Sequence, residues 1–290
     1  MQITFQILSG LAVGCIYALV AIGFSMIYRA LGLVNFAQGD IMMLGAFIGY
    51  SILLAFPALP FWIVLVVAAA ATAVFGLLIE RIAFRSAVKR RADQIYLVLL
   101  TLGVGMVLSN GARLIWGANP VVYPTPLAHA VYKVGDYPFP AVYLYIVLTM
   151  PLLLVGLQWF FSRTWGGLAS RAVSDDREVA ALMGVDAGTA SGLSFAIAAA
   201  TGALGGVLYA PITYVSFDMG VIGIKAFAAA IIGSLGSIPG AVLGGLVIGL
   251  GESIGSQLIS TEYTDSIAFI IMIAILLVRP TGLLGTGARQ

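Results

Sequence analysis

The chain of 290 residues carries 14 basic and 12 acidic residues against 61% hydrophobic ones, with a mean hydropathy of +1.08. A soluble domain of this length carries roughly a quarter charged residues, so the composition indicates a polytopic membrane protein and excludes a soluble enzyme. A net charge of +2 is too small to point to nucleic acid, and the lone Cys15, inside an apolar run, excludes a disulfide framework and a cysteine metal site.

Residues 3–28 hold no charge, too long a run for a cleaved signal and without a basic start, so a retained first span is expected. Arg29 follows it. The positive-inside rule then places the amino terminus outside and Arg29 in the cytoplasm. Residues 41–79 are again uncharged, with Pro57 and Pro60 near the middle, which predicts two spans joined by a tight external turn. The run ERIAFRSAVKRRAD then supplies Arg81, Arg85, Lys89, Arg90 and Arg91, and so many cations in one short loop hold it inside.

A fourth span is predicted over residues 95–116 and a fifth over 142–161, joined by an external Pro-, Tyr- and Gly-rich segment with His129, Lys133 and Asp136. No Cys, Asp or second His stands at ligand spacing from His129, so an ordinary loop histidine is the reading. The loop at 162–186 is therefore cytoplasmic. Apolar segments follow at 188–211, 224–236, 241–259 and 266–278. The segment 224–236 is short of the about 20 residues of an ordinary span and reads as a short crossing or a re-entrant hairpin. A crossing brings the total to about nine spans and leaves Arg279 and Arg289 in the cytoplasm, with only Arg113, Lys133 and Lys225 of the basic residues outside, whereas a dip leaves about eight and an external tail, which the charge rule disfavours.

Glycine recurs at small-xxx-small spacing, as in Gly184, Gly188, Gly192, again in Gly202 and Gly206, and in Gly240 and Gly244. Lipid gives helices no hydrophobic drive to associate, so such residues serve close packing within one bundle. Catalytic motifs are missing: there is no phosphate loop, no H-E-x-x-H and no Ser, His and Asp set. The chain is not expected to hydrolyse ATP.

Polar groups at membrane depth carry a free-energy cost unless paired or hydrated. Asn35, Gln38 and Asp40 in GLVNFAQGD form either a cytoplasmic turn, with Asp40 near a helix start, or a cavity lining. Thr101, Ser109 and Asn110 in the fourth span serve interhelical hydrogen bonds or substrate contact. Glu252 in GLGESIGSQ is a paired structural acid, a solvated residue near the external end, or a proton-linked group.

The stretch RAVSDDREVAALMGVDAG is a polar island. Ser174 is placed to cap a helix, Asp175 and Asp176 suit its positive end, Val179, Leu182 and Met183 share one face, and Gly184 stops it. A helix of about nine residues is marginal alone. The membrane surface is one support for it, yet Asp175, Asp176, Glu178 and Asp186 outnumber Arg171 and Arg177, a balance that an anionic leaflet disfavours. A protein partner fits better.

Glu178, Ala180, Ala181 and Gly184 form an E-x-A-A-x-x-G run that resembles the coupling-loop motif of bacterial ABC importer permeases, with Val179 interrupting the Glu-Ala-Ala order of the wider superfamily. Together with GLVNFAQGDIMMLGAF, ERIAFR and the closing RPTGLLG, it makes nearly the whole chain similar to the LivH-type permeases of branched-chain amino acid importers. The resemblance implies a single all-α transmembrane permease domain over residues 1–290, a bundle similar to the vitamin B12 importer class, in the bacterial cytoplasmic membrane. It also implies a coupling loop at 163–187, with Arg171, Asp175, Asp176, Arg177, Glu178, Ala181, Leu182 and Gly184 as the ATPase-coupling residues. The partners implied are a second, LivM-like permease, two cytoplasmic ATP-binding subunits and an external substrate-binding protein. The chain itself holds no cofactor, since ATP and Mg belong to the ATPase subunits.

Leucine, isoleucine and valine are the implied substrates, with other hydrophobic amino acids, urea or short amides as the family's further range. Asn35, Gln38, Thr101, Ser109, Asn110 and Glu252 are the candidate pathway residues. An ion- or proton-coupled secondary transporter stands as the rival class, suited by Glu252 and the broken segment 224–236.

Overall fold

The computed structural model describes residues 2–90, 92–125, 127, 130–134, 137–258 and 264–285. His129 and Asp136, with Arg91 and Arg289, lie outside the described residues. The long helices are α1 (Gln2–Leu31), α2 (Gln38–Ala55), α3 (Phe61–Ile79), α5 (Gln94–Trp116), α6 (Ala141–Arg163), α9 (Ala187–Tyr209) and α11 (Ile238–Leu258). Shorter ones are α4 (Arg85–Lys89), α7 (Trp165–Asp175), α8 (Arg177–Leu182), α10 (Ile222–Gly233) and α12 (Thr264–Val278). A π-helical turn, Glu80–Phe84, joins α3 to α4, and an antiparallel pair, β1 (Val131–Val134) and β2 (Tyr137–Pro140), precedes α6.

Among the described residues, seven helices are long and apolar enough to cross a membrane, and α12 is a shorter apolar helix. The protein is a multi-pass, all-helical membrane protein. Pro57 and Pro60 stand between α2 and α3, as expected of a tight turn, because neither ring continues a helix.

The core is α1, α9 and α11, with α2, α3 and α10 packed on them. Helix α1 runs antiparallel to α11: a methyl group added at Gly10 would meet Gly249 O at 2.9 Å, and one added at Gly14 would meet Gly245 O at 3.0 Å. Backbone therefore packs on backbone along this seam, the arrangement that small residues permit in lipid. Gly202 and Gly206 of α9 face α2, and Gly240 and Gly244 of α11 face α10. Gly184 departs from the packing expectation: it meets nothing within 4 Å and instead takes φ +83°, ending α8 in the left-handed region.

Two segments differ from simple spans. GLVNFAQGD is no surface turn, because the chain turns back into the bundle after α1 and α2 begins at depth. Gln38 Nε2 there donates to Ala198 O at 2.8 Å, well along α9. The expected segment 224–236 is the half-length helix α10, preceded by an irregular stretch and a 3₁₀ turn, Phe217–Val221. Its start packs on Gly39 and its end turns beside Tyr28, next to Arg29. The chain thus passes from the Tyr209 end of α9 back to the Arg29 face as an irregular, turn-rich half followed by a helical half. Irregular backbone at this depth is tolerated because protein surrounds it.

Candidate functional site

Two places gather the predicted residues. The first is on the Arg29 face. Helix α7 is capped by Thr164, whose Oγ1 accepts from Gly167 N at 3.1 Å. Helix α8 is capped by Asp176, whose Oδ1 accepts from Glu178 N at 2.9 Å and Val179 N at 3.0 Å. The expected cap, Ser174, lies instead in the last turn of α7, where its Oγ accepts from Arg29 Nε at 3.1 Å. The physical reason is that Asp176 leaves the helical region, φ −154° and ψ 114°, and so separates the expected short helix from α7, a helix not expected from sequence that runs through Ser174.

Ala180 anchors α8 in a small core with Val173 and Ala190. Asp186 then caps α9, accepting from Gly188 N, Thr189 N and Thr189 Oγ1, and pairs with Arg85 Nη2 at 3.3 Å. The Thr189 hydroxyl and the Gly188 amide hold the Asp186 carboxyl below its ordinary range. So mounted, α8 turns outward: Leu182 is 86% and Met183 80% exposed, and Val179, Arg177, Glu178 and Ala181 are exposed too. Arg177 borders a cleft of about 1010 Å³ with Arg29, Ser174 and the turn after α10. Arg171 is half-buried beside Phe161, and Asp175 ends α7.

The second place is a cleft of about 290 Å³ between the start of α2 and α5. Phe36, Asp40, Gly105, Met106, Ser109 and Asn110 border it. Ser109 Oγ reaches Phe217 O at 3.5 Å, and exposed Asn110 Nδ2 donates to Met106 O at 2.8 Å within its own helix. Asn35, Gln38 and Thr101 are fully buried behind it and hold the broken segment in shape. Thr101 Oγ1 accepts from Phe36 N at 3.2 Å, and Asn35 Oδ1 accepts from Ala37 N at 3.2 Å. The amide nitrogen of Asn35 and the amide oxygen of Gln38 have no hydrogen-bond partner.

Glu252 belongs to neither place. It pairs with Lys225 Nζ at 2.9 Å and accepts from the Tyr17 hydroxyl at 2.8 Å. Of its three readings, the paired acid is the one present. Lys225, expected at the outer end of a short span, has its side chain largely buried against the bundle and also pairs with the exposed Asp265 at 2.7 Å. Asp40, open in sequence between a helix start and a cavity lining, is in the first turn of α2 and also borders the cleft, although it is not among the candidate pathway residues.

A bundle of apolar helices, an intramembrane cleft with polar groups on its wall and a capped amphipathic helix standing out from one face together define a membrane permease. The family profile described as "Branched-chain amino acid transport system / permease component" matches residues 6–276, and the chain belongs to that family. It is 36% identical over 295 residues to the high-affinity branched-chain amino acid transport system permease protein BraD of Pseudomonas aeruginosa, covering 97% of this chain and 95% of that protein. It is 34% identical over 299 residues to LivH of Escherichia coli K12, covering 97% and 94%. A probable branched-chain amino acid transport permease protein LivH of Methanocaldococcus jannaschii is 29% identical over 278 residues, covering 92% and 88%. No solved structure matches the chain.

Proposed function

We propose that this chain is the permease subunit of an ATP-driven importer that carries branched-chain or other hydrophobic amino acids across the bacterial cytoplasmic membrane. The observation that carries this reading is the likeness, over 97% of the chain, to permease proteins named for high-affinity branched-chain amino acid transport. The amino terminus is outside, and the Arg29 face is cytoplasmic, as the basic residues clustered there require.

The importer pairs this chain with a second, LivM-like permease, two ATP-binding subunits and an external substrate-binding protein. Coupling enters through α8, within the loop at 163–187 of an otherwise single transmembrane domain. The exposed Leu182 and Met183 seat in a groove of an ATP-binding subunit, flanked by Arg177 and Glu178. Mini-core, cap and Arg85 pair make α8 a rigid projection of α9, so closure of the ATPase pair is passed to a core helix. A ligand-driven change needs differential contacts in the two states, and those contacts are with the ATPase, so ATP and Mg stay on that partner. Substrate passes between the two permeases, by way of the cleft at the start of α2.

The test is uptake of labelled leucine into proteoliposomes holding the assembled complex. Uptake is expected to need both ATP and the binding protein. Uptake sustained by an ion gradient without ATP would overturn the reading in favour of a secondary transporter.

A further inference from the structure

We propose that Asp40 receives the ammonium group of the transported amino acid, at a transit site in the cleft between α2 and α5. This rests on the reading of the chain as an amino-acid permease. Gly105, beside Asp40, stands about 16 Å of helix rise beyond Gln94, the α5 residue that hydrogen-bonds Gly32 on the Arg29 face. That is about half of a hydrocarbon core of ~30 Å, so the carboxylate lies near mid-depth.

An acid at mid-depth needs a counter-charge or water. The ion pairs among the described residues are Arg85 with Asp186, and Lys225 with Glu252 and Asp265, none of which involves Asp40. Both carboxylate oxygens are instead flanked by glycine. A methyl group added at Gly105 would meet Oδ2 at 2.5 Å, and one added at Gly220 would meet Oδ1 at 2.5 Å. Side chains there would cover the carboxylate, and glycine leaves it open to the cleft.

The rest of the wall suits the other parts of a zwitterion. Ser109 follows Gly105 by one helical turn on the same face of α5; its hydroxyl makes only a long 3.5 Å bond to Phe217 O, and Asn110 has a second amide hydrogen besides the one given to Met106 O, so both supply donors for a carboxylate. Phe36, Leu102 and Met106 give an apolar side for an aliphatic side chain. The volume of about 290 Å³ is at the small end of ligand sites, about 300 Å³. A hard metal cation calls for six or more oxygen ligands, and this wall offers one carboxylate among apolar groups, so a primary ammonium is the better match.

The test has two arms on the assembled complex. In the first, a hydrophobic carbodiimide modifies Asp40, and mass spectrometry measures the extent with leucine, with the matching 2-hydroxy acid, or with sodium present. Leucine is expected to slow modification at least fivefold while the 2-hydroxy acid does not. Equal protection by both solutes, protection by sodium alone, or no protection by any of them overturns the proposal.

In the second arm, Asp40→Asn is expected to lower ATP-driven leucine uptake at least tenfold while the complex still inserts and copurifies with the ATPase, and Asp40→Glu to recover part of it. Wild-type uptake by Asp40→Asn overturns the proposal while leaving the importer reading intact. Absence of ATP-driven uptake in the unsubstituted complex would fail that reading instead.

Discussion

Lys225 on α10 and Glu252 on α11 form an ion pair, Nζ to Oε1 2.9 Å, inside a bundle whose neighbouring helix faces are almost wholly apolar. The same lysine reaches Asp265 on α12, so one cation ties three helices together where α10 is too short to hold itself across the membrane. The pair explains why an acid and a base survive in that setting, since their attraction, with the Tyr17 hydroxyl and Asp265, offsets the cost of taking them out of water.

Removing the two partners should therefore have unequal effects. Lys225→Met strands Glu252 as a buried unpaired acid and is expected to cost about 3–5 kcal/mol, as for other broken buried pairs. Glu252→Gln leaves Lys225 with Asp265 and the Tyr17 hydroxyl with an acceptor, so its effect should be smaller and transport largely retained. Thermal unfolding of the two purified variants, alongside uptake, checks the order.

The coupling face makes a different demand. Leu182→Asp and Met183→Asp alter side chains that are 86% and 80% exposed, so insertion and thermal stability should stay near wild type. Binding of the ATP-binding subunit should fall at least tenfold in both, measured by copurification at defined detergent and salt.

Gly184 tests the mounting of that helix. At φ +83° an L-residue is strained by roughly 1–2 kcal/mol, so Gly184→Val should loosen the end of α8 even though nothing crowds the position. Hydrogen exchange over residues 177–186 should quicken, while α1 and α11 keep their protection.

Asp186 makes the same junction acid-sensitive. Its carboxyl is held below the ordinary value, so the unfolded chain binds more protons than the folded one as pH falls, and stability rises with pH through that window. The contribution is complete above about pH 5, a unit above the unfolded value, and is lost as pH drops through the lowered folded value. Asp186→Asn keeps a capping side chain without the charge, and should flatten the dependence of α8–α9 protection between about pH 5 and pH 3.

The α1–α11 seam gives the largest structural prediction. Gly245→Leu has no room against Ala18, and backbone-on-backbone packing cannot yield as a side chain would. Misfolding or lost expression is expected, whereas Gly111→Leu, on an open face of α5, should insert normally. Detergent-resistant, monodisperse protein on size exclusion is the measure.

Sequence by itself determined the solvent, the class and most of the spans, because apolar length and the placing of arginine and lysine are local properties read against a bilayer of known thickness. It also found the helix at Arg177–Leu182, whose stop at Gly184 and outward apolar residues depend on neighbours in the chain. It misplaced the cap because Ser174 and Asp176 both suit that role locally, and only the break in backbone direction at Asp176 chose between them.

What tertiary structure alone decided lies where distant segments meet. Sequence places Lys225 at the outer end of a short span; that its side chain is drawn into the bundle is decided by Glu252 and Asp265, which come to it from other helices. Sequence leaves Asp40 open between a helix start and a cavity lining; it is both, because the return of the chain after α1 sets the first turn of α2 at depth, between Gly105 of α5 and Gly220 before α10. Charge and periodicity describe how a segment meets water and lipid. Which buried groups meet one another is a property of packing, and no local pattern carries it.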